Sequence, residues 1–432
     1  MKKYIRKNSV RAVFGAIACT ALLGLSATAM AATEIQLWHS LNEHNSRVFD
    51  QLVKKYNRQQ SDNKVVVQDF LNEEALDQAL AMVEKEKRPH LVQLPETTGL
   101  DDVATRTYIR PMYQLLANQP MTEATWFLPK ENNFLHDRQG RLLALPLMAE
   151  VPVMFYNVEA FEKAGIPENK PSRAWSELQS QLVQVANNAT RRCPITSDQP
   201  VSINLENLAA VNKQFFANGN GQQKGFNFNS LYVRHLSTMI SWVRSEIMTK
   251  PEFNELATQR FAQGECGALL SNSGNLGAFL QQSDLKFSVT GLPYYPQVTE
   301  TPGNPFVTGS GLWAIADHDS DEDAAAADFL GWLAQPEQAA TWYQETGFLP
   351  LTKEAFERTD ASYYAPVVDW ADIVAVYNQK PEATTIGFEV PNYHLIRALF
   401  NQTLDEALNG QQTAITALET AAEKANQLMA QK

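Results

Sequence analysis

Four groups of residues in this chain have types and spacing that can do chemistry. His39, Glu43 and His44 are spaced H-x-x-x-E-H, one residue away from the inverted zinc-protease pattern that brings two imidazoles and a carboxylate to a metal. They fall where a strand pattern gives way to a helix pattern, so a solvated polar turn is the preferred reading and no metal ligand is assigned. Glu96 and Glu150 are candidates for the paired carboxylates of a glycosidase. The preferred reading is one acid that contacts a ligand and one residue at a hinge. Ser271-Asn272-Ser273-Gly274 joins a short strand pattern to a helix pattern, a turn that can present backbone N–H groups and a helix dipole to an anion. An ordinary Ser/Asn helix cap is the alternative. Arg397, in the helical stretch Leu395–Phe400, can pair with an anion or with a carboxylate of the fold.

Motifs that assemble a catalyst are missing from the sequence. There is no G-x-S-x-G nucleophile elbow, Gly309-Ser310-Gly311 being too short to serve, and no G-K-[ST] phosphate loop. No catalytic residue and no cofactor is therefore assigned. Capture of a small polar solute asks for less: a few directed hydrogen bonds in a cleft that closes. A Kd near 1 μM corresponds to only about −8 kcal/mol.

The elements that must position these residues alternate. Glu34–Leu37, Val65–Phe70 and His90–Leu94 read as strands, separated by helical stripes over Asn45–Tyr56 and Ala75–Glu86. That grammar predicts an α/β lobe with a largely parallel sheet, whose ligands sit beyond the carboxyl ends of the strands. Trp38–Ser40, Asn72 and Glu96 fall at or just after such ends. A second lobe follows, with helices over Trp175–Asn187, Leu205–Ala217, Leu231–Arg244 and Asn254–Gln263 and strands over Gly267–Leu270 and Phe287–Leu292. Helices close the chain over His394–Ala407 and Thr413–Met429. The polar stretch Asn218–Lys224 reads as a loop.

The first 31 residues are expected to leave the mature protein. Lys2, Lys3, Arg6, Lys7 and Arg11 precede an apolar run from Ala12 to Leu25, and Ala29-Met30-Ala31 offers a small-x-small cleavage site. This is the pattern of a secretory signal peptide cleaved near Ala31. The residues around Cys19 make a poor lipidation site. Removing the five basic residues of the signal leaves 31 basic against 48 acidic residues in about 400. A net charge of −17 argues against nucleic acid or an anionic membrane surface as partner. The length favours two or three domains. Of three cysteines, Cys193 and Cys266 remain after cleavage. In an oxidising compartment they are either a disulfide or two separate buried thiols.

One stretch organises the rest. Leu142–Leu147 is an apolar strand, Pro152 interrupts it, and Val153–Tyr156 resume it before the amphipathic turn that begins at Asn157. A strand broken by proline midway can belong to two sheets, or it can be one long bulged edge strand. The run P-V-M-F-Y-N, then A-F-E-K-A-G, then Pro171 and W-S-E-L, resembles the crossover of periplasmic solute-binding proteins, the family that includes maltose- and glycerol-3-phosphate-binding proteins. Trp342–Lys353 (WYQETGFLPLTK) and Pro391–Leu408 (PNYHLIRALFNQTLDEAL) resemble the same family, in its glycerol-3-phosphate-binding members.

The resemblance implies a two-lobed α/β fold like that of maltose-binding protein, with several crossovers at the hinge. Lobe one is expected at residues 32–145 plus 309–348, lobe two at 146–308 plus 349–432. It further implies a monomeric periplasmic protein that delivers a small polar ligand to two inner-membrane permease subunits and an ATPase of an ABC importer. The implied ligand is glycerol-3-phosphate or a glycerophosphodiester; an oligosaccharide or other polyol is the first alternative, and a secreted hydrolase the rival class. By position, the resemblance implies ligand contacts at Asn72, Glu96, Glu150, Asn272, Ser273, Gly309, Phe348 and Arg397, with Arg397 on a phosphate. It also favours a Cys193–Cys266 disulfide. Here the chain departs from its relatives: Glu150 and Asn272 stand where they carry Ser, and Phe348 where they carry Tyr. Gln199 and Ser202 stand where they carry pocket tryptophans. A carboxylate at Glu150 disfavours a dianion but tolerates a monoanion or a zwitterion.

Overall fold

A computed structural model describes residues 32–95, 103–104, 106–117, 125–217, 225–251 and 256–431. The expected signal peptide, the loop at 218–224 and Glu96 lie outside the described residues. Ten strands form two sheets. In the first, β1 (Thr33–His39) lies between β2 (Asn63–Asp69) and β3 (Leu91–Pro95), parallel to both. β10 (Thr308–Ile315) then pairs antiparallel with β3, with the short β4 (Ile109–Arg110) and with β5 (Leu145–Glu150). The second sheet has the order β7–β8–β6–β9, from β7 (Ile195–Ser197), β8 (Ala268–Asn272), β6 (Pro152–Asn157) and β9 (Phe287–Thr290).

The broken strand therefore belongs to two sheets, and the long-edge-strand alternative falls. β5 ends at Glu150, one residue, Val151, turns the chain, and Pro152 opens β6. Proline is tolerated at a strand's first residue, where its missing N–H costs no ladder bond. The crossing thus lies at Val151, after a strand that runs Leu145–Glu150. That is later than the expected 142–147 strand, because β10 pairs with β5 as far as Glu150. Thr308 likewise already pairs in the first sheet. The first sheet is mixed, since β10 returns from the other side of the crossing and so runs against β3.

Packing follows the amphipathic pattern. The helix Glu43–Gln59 buries Val48, Phe49, Leu52, Val53 and Tyr56, with Phe49 edge-on to Trp342. The helices Ser320–Leu333 and Pro336–Thr346 join the same apolar cluster. On the second sheet, Trp175, Leu178, Leu182 and Val185 of the helix Trp175–Asn188 pack with Trp242, Phe400 and Leu418. A third cluster is continuous through the crossing itself, from Val92 and Leu94 through Ala149, Val151 and Val153 to Phe155 and Phe287. Cys193 and Cys266 are joined, with Cα atoms 4.5 Å apart.

The expected helix at 205–217 is shorter in the structure. A π-turn over Ser202–Glu206 leads into Asn207–Val211, and the helix stops there. Asn207 and Asn212 donate side-chain N–H groups to the Ser202 and Leu208 carbonyls, and Asn212 Oδ1 accepts from the Tyr295 backbone. Side-chain amides that bond the backbone in this way compete with regular helix.

Candidate functional site

A cavity of about 320 Å³ opens where the two sheets face one another. Its lining comes from the carboxyl ends of β1 and β3, the crossing at Glu150, the start of β10 and the end of β8. On the first-sheet side Gln93, Ser40 and Ser310 satisfy each other. Gln93 accepts from the Ser40 N–H at 2.9 Å through Oε1 and donates to Ser310 Oγ at 2.9 Å. Asn42 caps the helix Glu43–Gln59 by accepting from Asn45 N.

The Ser271–Gly274 turn has a carboxyl group at its N–H groups, and that carboxyl is the protein's own. Glu150 Oε1 accepts from Asn272 Nδ2 at 2.8 Å, and Oε2 accepts from Gly274 N at 3.2 Å. Gly274 is required here: a Cβ would sit 2.5 Å from Glu150 Oε2 and 2.8 Å from Phe348 Cε1. Gly309 holds φ +109°, and a Cβ there would meet the Met148 carbonyl at 2.2 Å. Both glycines let the crossing strands close on the cavity.

Carboxyls dominate the electrostatics. Desolvation pushes Glu150 up to about 8, against the two hydrogen bonds that favour its charged form, and neighbouring Asp198 and Glu73 add to the rise. Asp198 is pushed up to about 7, also by desolvation, although Ser271 Oγ donates to its Oδ2 at 2.8 Å. Glu73 rises as well, its desolvation partly offset by the Arg397 charge. Arg397 is the one cationic lining residue among the described residues. It is 8% exposed, and its Nε donates to Glu206 Oε1 at 3.0 Å, where the Tyr393 hydroxyl also donates. Desolvation works against its charge and Glu206 outweighs that, so the guanidinium is held above its ordinary value. The helix Tyr393–Leu408 aims this group into the cavity from the second-sheet side.

Of the expected site residues, Glu150, Asn272, Gly309, Phe348 and Arg397 meet at this cavity. Phe348 is its one aromatic lining residue among the described residues, stacked on Trp342 with centroids 5.5 Å apart. Two expected residues are used otherwise. Asn72 is exposed and caps the helix Glu73–Met82, accepting from Ala75 N at 2.9 Å. Ser273 is fully buried and braces the crossing: its Oγ accepts from Val151 N at 3.2 Å and its N–H donates to the Val151 carbonyl at 2.8 Å. Of the two positions where relatives carry tryptophan, Gln199 lines the cavity, whereas Ser202 is buried and bonded to Asn207.

Sequence reasoning missed Asn45, Glu73, Gln93 and Asp198 as lining residues. Position after a strand end was the available signal for Asp198, which follows β7. The H-x-x-x-E-H group does not converge: His39 is buried beside Asp69, Glu43 pairs with Arg47, and His44 bonds the Glu345 carbonyl.

A sequence model described as bacterial extracellular solute-binding protein matches residues 51–370. The sn-glycerol-3-phosphate-binding periplasmic protein UgpB of Yersinia pseudotuberculosis is 29% identical over 432 residues, covering 98% of each chain. Its counterpart in Salmonella typhimurium is 29% identical over 422 residues, covering 94% of this chain and 95% of its own. In structure, UgpB from Mycobacterium tuberculosis in complex with glycerophosphocholine has a TM-score of 0.74 at 16% identity, covering 92% of this chain and 99% of that one. Maltose-bound MalE3 of T. maritima has a TM-score of 0.73 at 16% identity, covering 92% and 100%. The last two likenesses concern the two-lobed fold.

Proposed function

The chain belongs to the bacterial extracellular solute-binding proteins, and from that premise we propose that it captures a glycerophosphodiester with a cationic head group and hands it to an ABC importer. The observation that carries this reading is the charge balance of the cavity. Among the described residues, Glu73, Glu150 and Asp198 line the cavity with a single cation, Arg397, which already holds Glu206. Desolvation holds those carboxyls above their ordinary values, so a phosphate dianion could enter only with them kept protonated, whereas a cationic group favours their ionised form. A phosphodiester brings one negative charge for Arg397, and its head group brings a positive one for the carboxyls. Sugar binding commonly relies on aromatic faces, and Phe348 is the single aromatic lining residue among the described residues. The phosphate and glycerol names of the relatives support the same class.

The ligand contacts proposed are Glu150, Asn272, Gly309, Phe348 and Arg397, with Glu96 as an expectation outside the described residues. The protein is read as periplasmic, monomeric and not an enzyme, returning its ligand unchanged to two permease subunits driven by an ATPase. One lobe takes residues 32–150 and 308–348, the other 151–307 and 349–431, closing on the ligand about the crossings. Mass spectrometry of the solute released by denaturing the purified protein tests the ligand. A glycerophosphodiester mass is the expected result; an oligosaccharide, or glycerol-3-phosphate alone, overturns it.

A further inference from the structure

The cationic end of the ligand is left undefined by charge alone, and three buried oxygen atoms define it. Among the described residues, Asn45 Oδ1, Asp198 Oδ1 and Asn272 Oδ1 have no hydrogen-bond partner, and their residues are 2%, 7% and 8% exposed. All three residues line the cavity. They come from three places in the chain: the first turn of the helix Glu43–Gln59, the segment after β7, and the end of β8. Each is anchored by its other polar atom to the same few residues. Asn45 Nδ2 donates to the Gly274 carbonyl at 3.1 Å, Asp198 Oδ2 accepts from Ser271 Oγ, and Asn272 Nδ2 donates to Glu150. The bond to the Gly274 carbonyl fixes Asn45 Oδ1 as the acceptor, and with Glu150 ionised, as beside a bound cation, the bond to its carboxylate fixes Asn272 Oδ1 likewise. Buried polar groups are rarely left without partners, so three acceptors around one turn ask for a group rich in N–H donors.

We propose that this cavity selects a primary ammonium group, an –NH3+ bearing three N–H donors, over a quaternary ammonium. A primary ammonium offers three donors and no acceptor. A quaternary one offers none and is recognised through aromatic faces, of which the described lining supplies only Phe348. The carboxyls of Glu150 and Asp198 beside these acceptors add charge complementarity. The inference rests on the glycerophosphodiester reading and narrows it to diesters that end in a primary amine.

The test is calorimetry on the full mature protein with glycerophosphoethanolamine and its N-monomethyl, dimethyl and trimethyl forms, the last being glycerophosphocholine. Affinity is expected to fall at each methylation, by tenfold or more over the series. Asp198→Asn should weaken the ethanolamine diester at least tenfold and the choline diester less than threefold. The methyl series on the unaltered protein decides the matter even if that variant does not fold. A choline diester that binds within threefold of the ethanolamine diester, or more tightly, overturns the inference and leaves the diester reading standing. If none of the four diesters binds while maltose or glycerol-3-phosphate does, both fall together.

Discussion

The two walls of the cleft are built on different terms. The first-sheet wall is neutral where Gln93, Ser40 and Ser310 meet, and those side chains complete one another's hydrogen bonds. The second-sheet wall gathers Asp198, Asn272 and Arg397, with Glu150 reaching across to it from the end of β5. Its carboxyls are raised by desolvation, and oxygen atoms of Asp198 and Asn272 are left without partners. A saturated wall fixes shape; a wall with open acceptors asks something of the ligand. On the proposed diester reading, selectivity for the head group falls to the second side, with Asn45 as the first side's contribution to it.

The strongest test of this contrast is Arg397→Ala. It leaves Glu206 buried without its cation, and breaking one partner of a buried pair costs about 3–5 kcal/mol. Denaturant unfolding should show a loss of that size, together with weaker binding of every phosphodiester. A loss below about 1 kcal/mol would mean that the pair is not the anchor of the second wall. Next comes the disulfide, which among the described residues only the second side possesses. Cys193→Ser with Cys266→Ser opens a link across 73 residues of sequence, and a loss of roughly 2–4 kcal/mol, typical of such links, is expected. Thiol titration of denatured, unreduced protein should find no free thiol in the mature chain; two would refute the bond.

Gly274→Ala should act on both walls at once. Its new Cβ would press on the Glu150 carboxyl and the Phe348 ring. Overpacking of this kind costs about 1–3 kcal/mol. Diester binding should weaken with it, and a variant with unchanged melting temperature and affinity would show that the turn yields freely.

A further effect is with pH. Glu150 is raised in the folded protein from an ordinary carboxyl value to about 8. The folded state therefore holds a proton that the unfolded state has released, and stability from this group falls as pH rises from about 4.5 to about 8. His235, pushed down to about 3, acts the other way below pH 6.5. The informative quantity is thus the difference between the parent and Glu150→Gln, measured calorimetrically at several pH values. The parent should lose stability relative to the variant as pH rises. The groups facing Glu150 that share in this are Asp198, Glu73 and Arg397, and binding of a cation there should release part of a proton. A difference that stays constant from pH 5 to pH 8 would place Glu150 in contact with solvent and weaken the contrast between the walls.

Much of the scaffold was legible because burial leaves a period. Apolar residues on the helix Glu43–Gln59 recur at helical spacing, and β1 to β3 carry strand patterns bounded by turn residues. Pro152 marked the crossing because proline is excluded from a continuous central strand. The expected helix after Leu205 failed because Asn207 and Asn212 bond the backbone, which no apolar period reports. Asn72 and Ser273 lie off the cavity lining, and their sequence positions could not tell this for a related reason. A polar residue at a strand end looks the same in sequence whether it caps a helix, braces a crossing or faces a ligand.

By itself the sequence determined the acidic charge, the alternating α/β order and the crossing, since each depends on composition or on neighbours along the chain. Tertiary structure alone decided who meets whom in the cleft. Glu150 reaches Asn272 across 122 positions, Asn45 reaches Gly274 across 229, and Arg397 reaches Glu206 across 191. Such pairs leave no local period, because the hydrophobic pattern fixes which face of an element turns inward and says nothing about the polar atoms that another element brings to it. Whether a buried oxygen is satisfied or left open to a ligand is likewise a property of the packed chain, set by the geometry of the crossing at Val151.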